Sequence, residues 1–309
     1  MGSSLSVLQY IPAVYRQSFP PKPQFTTEQM PDLTGQVMIV TGAFHRTLKH
    51  VYMATRSKAR ADTAIRELKE QTGKEAIFLE LDLASLRSVR KAAEEFRSKE
   101  QELHVLFNNA GVSGVPIEWT TEDGYDFQFG INVLGHFLFT QLLITALAAG
   151  SRASPDHHAR IVTCSSFVAY FSGLDWETLI DSPKRRKLNI YALYGQSKLA
   201  ATIMARELAK RYAEQGIISL SVNPGNIRTE IRRYAPALER KFSIFFKVYP
   251  ADLGALTQLW AGTMPEPLNY NGHYLVPWAR FGDKCRSEVY DDEIGERLWK
   301  WLEEQVYAK

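Results

Sequence analysis

The order of apolar runs along this chain permits few folds. Near-continuous apolar stretches of strand length occur at 37–40 (VMIV), 50–54 (HVYMA), 75–83 (EAIFLELDL), 103–111 (LHVLFNNAG), 159–166 (ARIVTCSS) and 218–225 (ISLSVNPG). Between them lie helical periods: 58–73, stopped by Gly73, then 85–101, opened by Ser85, and 192–216. A last short strand is expected in HYLVPW, 273–278. Continuous apolar strands alternating with helices predict an α/β fold, a Rossmann-like doubly wound parallel sheet with helices on both faces. Ligands of such sheets sit outside the carboxyl ends of the strands. Thr41-Gly42, Asp82, Asn109-Ala110-Gly111, Ser165-Ser166 and Pro224-Gly225 all fall at those ends, so polar residues accumulate on one edge.

With 309 residues and 45% apolar content, the chain can bury one large core. A single domain over 33–309 is expected, with a substrate lid at about 229–255. Residues 1–32 read as an N-terminal extension with little structure of its own, and the proline-rich FPPKPQF (19–25) as an extended lead-in. The formal charge of +3 gives no argument for a nucleic-acid partner, and the one basic block, Lys184-Arg185-Arg186-Lys187, reads as a solvated loop. Two cysteines, Cys164 and Cys285, imply no disulfide framework and point to a reducing, cytoplasmic compartment. The histidines are scattered, so no metal is expected. The apolar stretch 136–150 carries polar residues and falls short of the roughly 18–20 apolar residues of a membrane span; it reads as a buried helix. Gly2 and Ser6 fit an N-acylation pattern, and a single acyl chain would give only weak, peripheral membrane attachment.

The helix start YALYGQSK sets Tyr194 and Lys198 four residues apart, on one helix face. An ammonium beside a phenol favours the phenolate, turning tyrosine into a usable proton donor or acceptor. Ser166, at the end of the strand at 159–166, could hold a carbonyl or alcohol oxygen near the same point. Taken alone, Tyr-x-x-x-Lys is also an ordinary exposed helix contact. The ordered set NNAG, INVLGH, IVTCSS, YGQSK and NPGNIRT is far more specific.

In these motifs the chain resembles the short-chain dehydrogenase/reductase family from about Leu33 to Trp278. The ending YNGHYLVPWARFG and the long stretch between Ser166 and Tyr194 are most similar to retinol-dehydrogenase-like and WW-domain-oxidoreductase-like members, and the N-terminal extension to fungal ones. The resemblance implies Tyr194 as general acid/base, Lys198 as its partner and a ribose ligand, Ser166 as substrate-oxygen ligand, and Asn132 completing a proton relay through a water. It implies Asp82 at the adenine amine and Asn109 by the adenosine ribose, with Pro224, Gly225, Ile227 and Thr229 around the nicotinamide carboxamide. Thr41 and Gly42 open the cofactor fingerprint. Fungal kinship implies a place in secondary-metabolite tailoring.

Cofactor choice is argued from charge. Selection of the unphosphorylated dinucleotide usually needs an acid at the end of the second strand, and here that end reads Thr55-Arg56-Ser57-Lys58. Arg56 suits a 2′-phosphate, so NADP(H) is expected. After Thr229, the aromatic-rich segment with Ile231, Tyr234, Phe242, Phe245, Phe246 and Tyr249 suits an apolar alcohol or carbonyl substrate. It suits equally a helix pair packed on the body, or a subunit contact in a homo-oligomer.

One part of the fingerprint is missing. Between the first two strands lie seven residues, Ala43–Lys49, none of them glycine. A parallel crossover normally takes about a dozen residues or more, so neither the glycine-rich turn nor the first crossover helix fits. One sheet face is therefore expected to lose its cover and expose apolar side chains. Three accounts stand open: a lost in-frame piece of an intact enzyme, a degenerate relative without cofactor affinity, or a rearranged turn in which His45, Arg46 and Lys49 hold phosphates by charge. A catalytically silent binding or regulatory protein is the alternative function.

Overall fold

The computed structural model describes residues 8–42, 50–229, 231, 234, 248–282 and 284–307. Gly2, the connection Ala43–Lys49 and the lid residues Phe242, Phe245 and Phe246 lie outside them. The strands are β1 (Met38–Thr41), β2 (Val51–Thr55), β3 (Ile77–Glu80), β4 (Val105–Asn108), β5 (Ala159–Cys164), β6 (Ile217–Val222), β7 (Tyr274–Val276) and β8 (Arg280–Phe281). They form one sheet in the order β3-β2-β1-β4-β5-β6-β7-β8. Every pair is parallel except β7 with β8. The strand order reverses between β1 and β4, which places the ligand crevice at their carboxyl ends.

The helices are α1 (Ile11–Ser18), α2 (Lys58–Thr72), α3 (Leu86–Lys99), α4 (Phe127–Ala153), α5 (Ile190–Tyr212), α6 (Ala251–Thr263) and α7 (Asp292–Tyr307). Helices α3, α4, α5 and α7 share one core with Ile39, Tyr52 and Ala54. Helix α6 packs on the other face with Met38, Val40 and Val51, and α2 covers Met53 there. Ser85 caps α3 and Gly73 closes α2 in the left-handed region at φ +70°, as the sequence predicts. Ser57 caps α2. By length and composition α4 could cross a membrane, yet 67% of its most apolar window is buried inside the fold, as in a core helix.

Three expectations need correction. The N-terminal extension is structured: α1 docks on the body, and Phe25 and Leu33 are buried with β1 and β2 in the α6-side core. For the same reason the sheet face at β1 and β2 is not exposed. Met38, Val40, Val51 and Met53 are all buried, and Met30 packs against the same cluster. Finally, the basic block is only partly solvated. Arg185 is buried, donating from Nε to Asp126 (2.8 Å), from Nη1 to Asp181 (3.1 Å) and from Nη2 to the Trp119 carbonyl (2.7 Å).

Candidate active site

Helix α5 begins at Asn189, whose side chain caps the Tyr191 amide. Tyr194 and Lys198 then fall one turn apart. Gly195 lets this first turn come close to the segment after β5: a Cβ there would stand 2.2 Å from Ser172 Oγ and 3.1 Å from the Val168 carbonyl. That close approach sets Tyr194 beside the short 3-10 turn Phe167–Phe171, which Ser166 caps.

The two adjacent serines differ in environment. Ser165 is buried and bonds to the Lys198 carbonyl (2.9 Å) and Thr202 Oγ1 (2.7 Å), a packing role. Ser166 is half-buried, and among the described residues its hydroxyl only accepts from the Val168 amide at 3.4 Å. Its own proton remains available to a ligand.

Lys198 is buried at 2% exposure, with no carboxylate partner among the described residues. Its Nζ donates to the Cys164 carbonyl at 2.8 Å and lies 5.8 Å from the Tyr194 ring centroid. Burial pushes its pKa down from the ordinary lysine value. The β4 loop comes close there: a Cβ on Gly111 would stand 3.1 Å from Asn132 Oδ1 and 3.4 Å from Lys198 Nζ.

Asn132 lies in a π-helical turn, Gly130–Gly135, within α4. Such turns interrupt the regular ladder and often mark functional positions. Its side chain is fully engaged: Oδ1 accepts from the Val112 amide (3.0 Å), and Nδ2 donates to the Val112 carbonyl (3.1 Å) and Ser197 Oγ (2.9 Å). The amide thus pins the β4 loop to α5 next to Lys198.

The adenosine end is assembled less tightly. Arg56 Nη1 lies 3.9 Å from Asp82 Oδ2, with the arginine side chain 56% exposed. Asp82 Oδ1 also accepts from the Ala84 amide (2.9 Å), so it shapes its own turn. The Asn109 side chain is held by the body: Nδ2 donates to the Thr41 carbonyl (3.0 Å) and Oδ1 accepts from Gln258 (3.1 Å). Gly42 has φ +84° and packs against Ala110 and Asn109. At the far end, Ile227 bridges to Tyr249 and touches Gly254, while the exposed Thr229 Oγ1 accepts from the Ile231 amide at 3.4 Å. Of the proposed lid, Ile231 and Tyr234 are half-buried and Tyr249 buried, and residues from Ala251 onward already belong to α6.

Sequence reasoning passed over His136. It is buried, with Nε2 2.9 Å from Thr41 Oγ1 and Nδ1 3.4 Å from the Asn132 carbonyl. Burial, and then the Lys198 charge, push its imidazole down to about 3. A lone histidine in an apolar helix carries no pattern that reveals such contacts.

Ser166, Tyr194, Lys198 and Asn132 thus belong to the segments at the carboxyl edge of a doubly wound sheet, with Gly111 packed close to Asn132 and Lys198. The comparisons with known proteins agree. Residues 38–177 match the family model for short chain dehydrogenases. A short-chain dehydrogenase/reductase of Armillaria gallica is 52% identical over 99% of both chains. Human polyprenol dehydrogenase is 33% identical over 91% of this chain and 84% of its own. A crystal structure of an uncharacterized protein from Mycobacterium paratuberculosis superposes with a TM-score of 0.70, at 25% identity over 92% of this chain and 97% of that one. The chain belongs to the short-chain dehydrogenase/reductase family, a family of oxidoreductases built on a nicotinamide-binding fold.

Proposed function

We propose that the protein is an NADP(H)-dependent oxidoreductase interconverting an apolar alcohol and its ketone or aldehyde. The observation that carries this reading is the buried, carboxylate-free Lys198 ammonium set against the Tyr194 ring. A cation there favours the phenolate and adapts Tyr194 to exchange a proton with the substrate oxygen. Ser166 donates its hydroxyl to that oxygen and fixes its position. Lys198 Nζ, close to Gly111, would also be a donor for a ribose hydroxyl of the cofactor. The carbonyl of Asn132 offers an acceptor for a water that resupplies the proton. The bound nicotinamide supplies hydride transfer at its C4.

The residues present suit the cofactor at both ends. Gly111 has no side chain to crowd Lys198 Nζ and Asn132, and Arg56 offers an exposed guanidinium whose one acidic neighbour among the described residues is Asp82, 3.9 Å away. The apolar substrate class rests on the aromatic residues after Thr229 and on the resemblance to a polyprenol dehydrogenase. Fungal relatives support a tailoring role in secondary metabolism. Two free cysteines support a reducing, cytoplasmic compartment.

A second reading, a catalytically silent binding protein, is favoured by one observation: Ala43–Lys49 contains no glycine to cradle a pyrophosphate. The test is turnover of NADPH with a panel of apolar aldehydes and ketones, by the native chain and by Tyr194→Phe. The proposal predicts turnover that this substitution abolishes while the fold persists. Equal turnover in both would sink the mechanism.

A further inference from the structure

Helix α1 sets Tyr10, Ala13 and Val14 against the body, and the same face ends in two buried polar residues, Gln17 and Ser18. The larger apolar residues Ile11 and Tyr15 are exposed, as are Leu8 and Phe19 at its ends. Apolar packing alone does not account for a buried carboxamide on the docked face. Burying a carboxamide costs free energy unless its hydrogen bonds are made, so the partners of Gln17 explain the orientation.

Those partners come from two sides of the candidate site. Asn223 Nδ2 donates to Gln17 Oε1 at 2.8 Å, and Tyr274 Oη donates to the same oxygen at 3.2 Å. Gln17 Nε2 donates to Tyr170 Oη at 3.2 Å. Asn223 is the residue before Pro224, and its Oδ1 accepts from the Gly225 amide at 3.0 Å, holding that turn. Tyr170 belongs to the 3-10 turn that Ser166 caps. One buried side chain therefore reaches both the turn after β5 and the turn after β6.

The neighbouring residue adds a second grip on the same turn. Tyr249 Oη donates to the Ser18 carbonyl at 3.4 Å. The Tyr249 ring lies 5.0 Å from that of Trp278, whose edge leaves no room for a Cβ on Gly225. Tyr249 also bridges to Ile227. The end of α1 is thus connected to Gly225 by a polar path and an aromatic one.

We propose that Gln17 is a positioning residue, its carboxamide tying the Ser166 turn to the Pro224-Gly225 turn across the carboxyl edge of the sheet. This rests on the proposed function for its consequence: the two turns hold the substrate oxygen and the nicotinamide end of the cofactor in register. The N-terminal segment is then part of the active centre.

The test compares the native chain with Gln17→Met, which keeps the shape and removes the hydrogen bonds, and with Tyr170→Phe, which removes the Gln17 bond on the Ser166 side together with the Tyr170 bond to the Lys284 carbonyl and leaves the Asn223 side intact. Hydrogen exchange is measured on the ligand-free proteins. Gln17→Met is expected to speed exchange about tenfold in the segments 166–171 and 223–225, and Tyr170→Phe in the first alone. NADPH and 2′,5′-ADP, which ends before the nicotinamide, are then titrated. Gln17→Met is expected to weaken NADPH about tenfold and leave 2′,5′-ADP unchanged. Unchanged exchange in either segment, or equal loss of both ligands, overturns the proposal. Should the native chain bind neither ligand, the oxidoreductase reading fails, and the exchange data alone decide the tie. Should Gln17→Met fail to fold, unchanged exchange at 166–171 in Tyr170→Phe overturns it.

Discussion

Thr41 Oγ1 and His136 Nε2 lie 2.9 Å apart, joining the end of β1 to the helix that carries the π-turn. Thr41 Oγ1 already accepts from the amides of Asn109 and Ala110, each at 2.9 Å. Its own proton has Nε2 and the Phe107 carbonyl (3.3 Å) in reach, and with both lone pairs taken the hydroxyl does not accept from Nε2, which assigns the imidazole proton to Nδ1, facing the Asn132 carbonyl. A neutral histidine completes this arrangement, and a protonated one would break it.

The pH dependence of stability follows. The native imidazole titrates near 3, against about 6.5 in the unfolded chain. Its contribution is fully present above the unfolded value and is lost as pH falls toward the native one. The slope in that window is at most about 1.4 kcal/mol per pH unit. Urea unfolding of the native chain and His136→Gln, at several pH values between neutrality and 4, should show the wild-type advantage shrinking in acid. Parallel stability curves would contradict the assignment.

Arg185 and Asp126 form a buried ion pair at the start of α4, where Asp126 also caps the Phe129 amide at 2.8 Å. Burial pushes the Asp126 carboxyl up, while that cap and Arg185 pull against it. Removing the cation strands the carboxylate, which typically costs about 3–5 kcal/mol. Arg185→Ala should lower the urea midpoint strongly, whereas Arg186→Ala, on the exposed neighbour, should leave it nearly unchanged. Similar midpoints for the two variants would count against the pair.

Arg56 is the candidate anchor for a 2′-phosphate. Arg56→Ala should weaken NADPH binding by about tenfold or more while leaving NADH nearly unaffected, because only the phosphate loses a charge-assisted partner. Fluorescence titration with both nucleotides measures it. An equal effect on both would move the phosphate elsewhere.

Gly111→Ala inserts a methyl between Asn132 Oδ1 and Lys198 Nζ. Misplacement by about 1 Å can cost on the order of a hundredfold in rate. The variant should keep a melting temperature near that of the native protein and lose most of its turnover. Retained turnover would mean that the close approach of Gly111 to Lys198 is not part of the site.

The strands and the polar residues at their carboxyl ends were legible because an apolar run needs only its neighbours to be read. Ser85, Gly73 and the Tyr194–Lys198 spacing are equally local. What sequence did not disclose was long-range. Arg185 looked solvated because its partners Asp126 and Trp119 lie far away in the chain. The extension 1–32 read as having little structure because the partners of its described residues are distant too: Gln17 meets Asn223, and Phe25 joins Val40 and Trp260. The same contacts explain why a short β1–β2 connection leaves no bare sheet face. His136 carried its role in geometry alone.

The central claim is that this chain, with its short connection after Gly42, holds NADP(H). Calorimetric titration of the purified 309-residue chain with NADPH, and with NADH in parallel, tests it most directly. The account predicts NADPH binding with a Kd on the order of micromolar and NADH at least about tenfold weaker. A well-folded sample that binds neither nucleotide would contradict it.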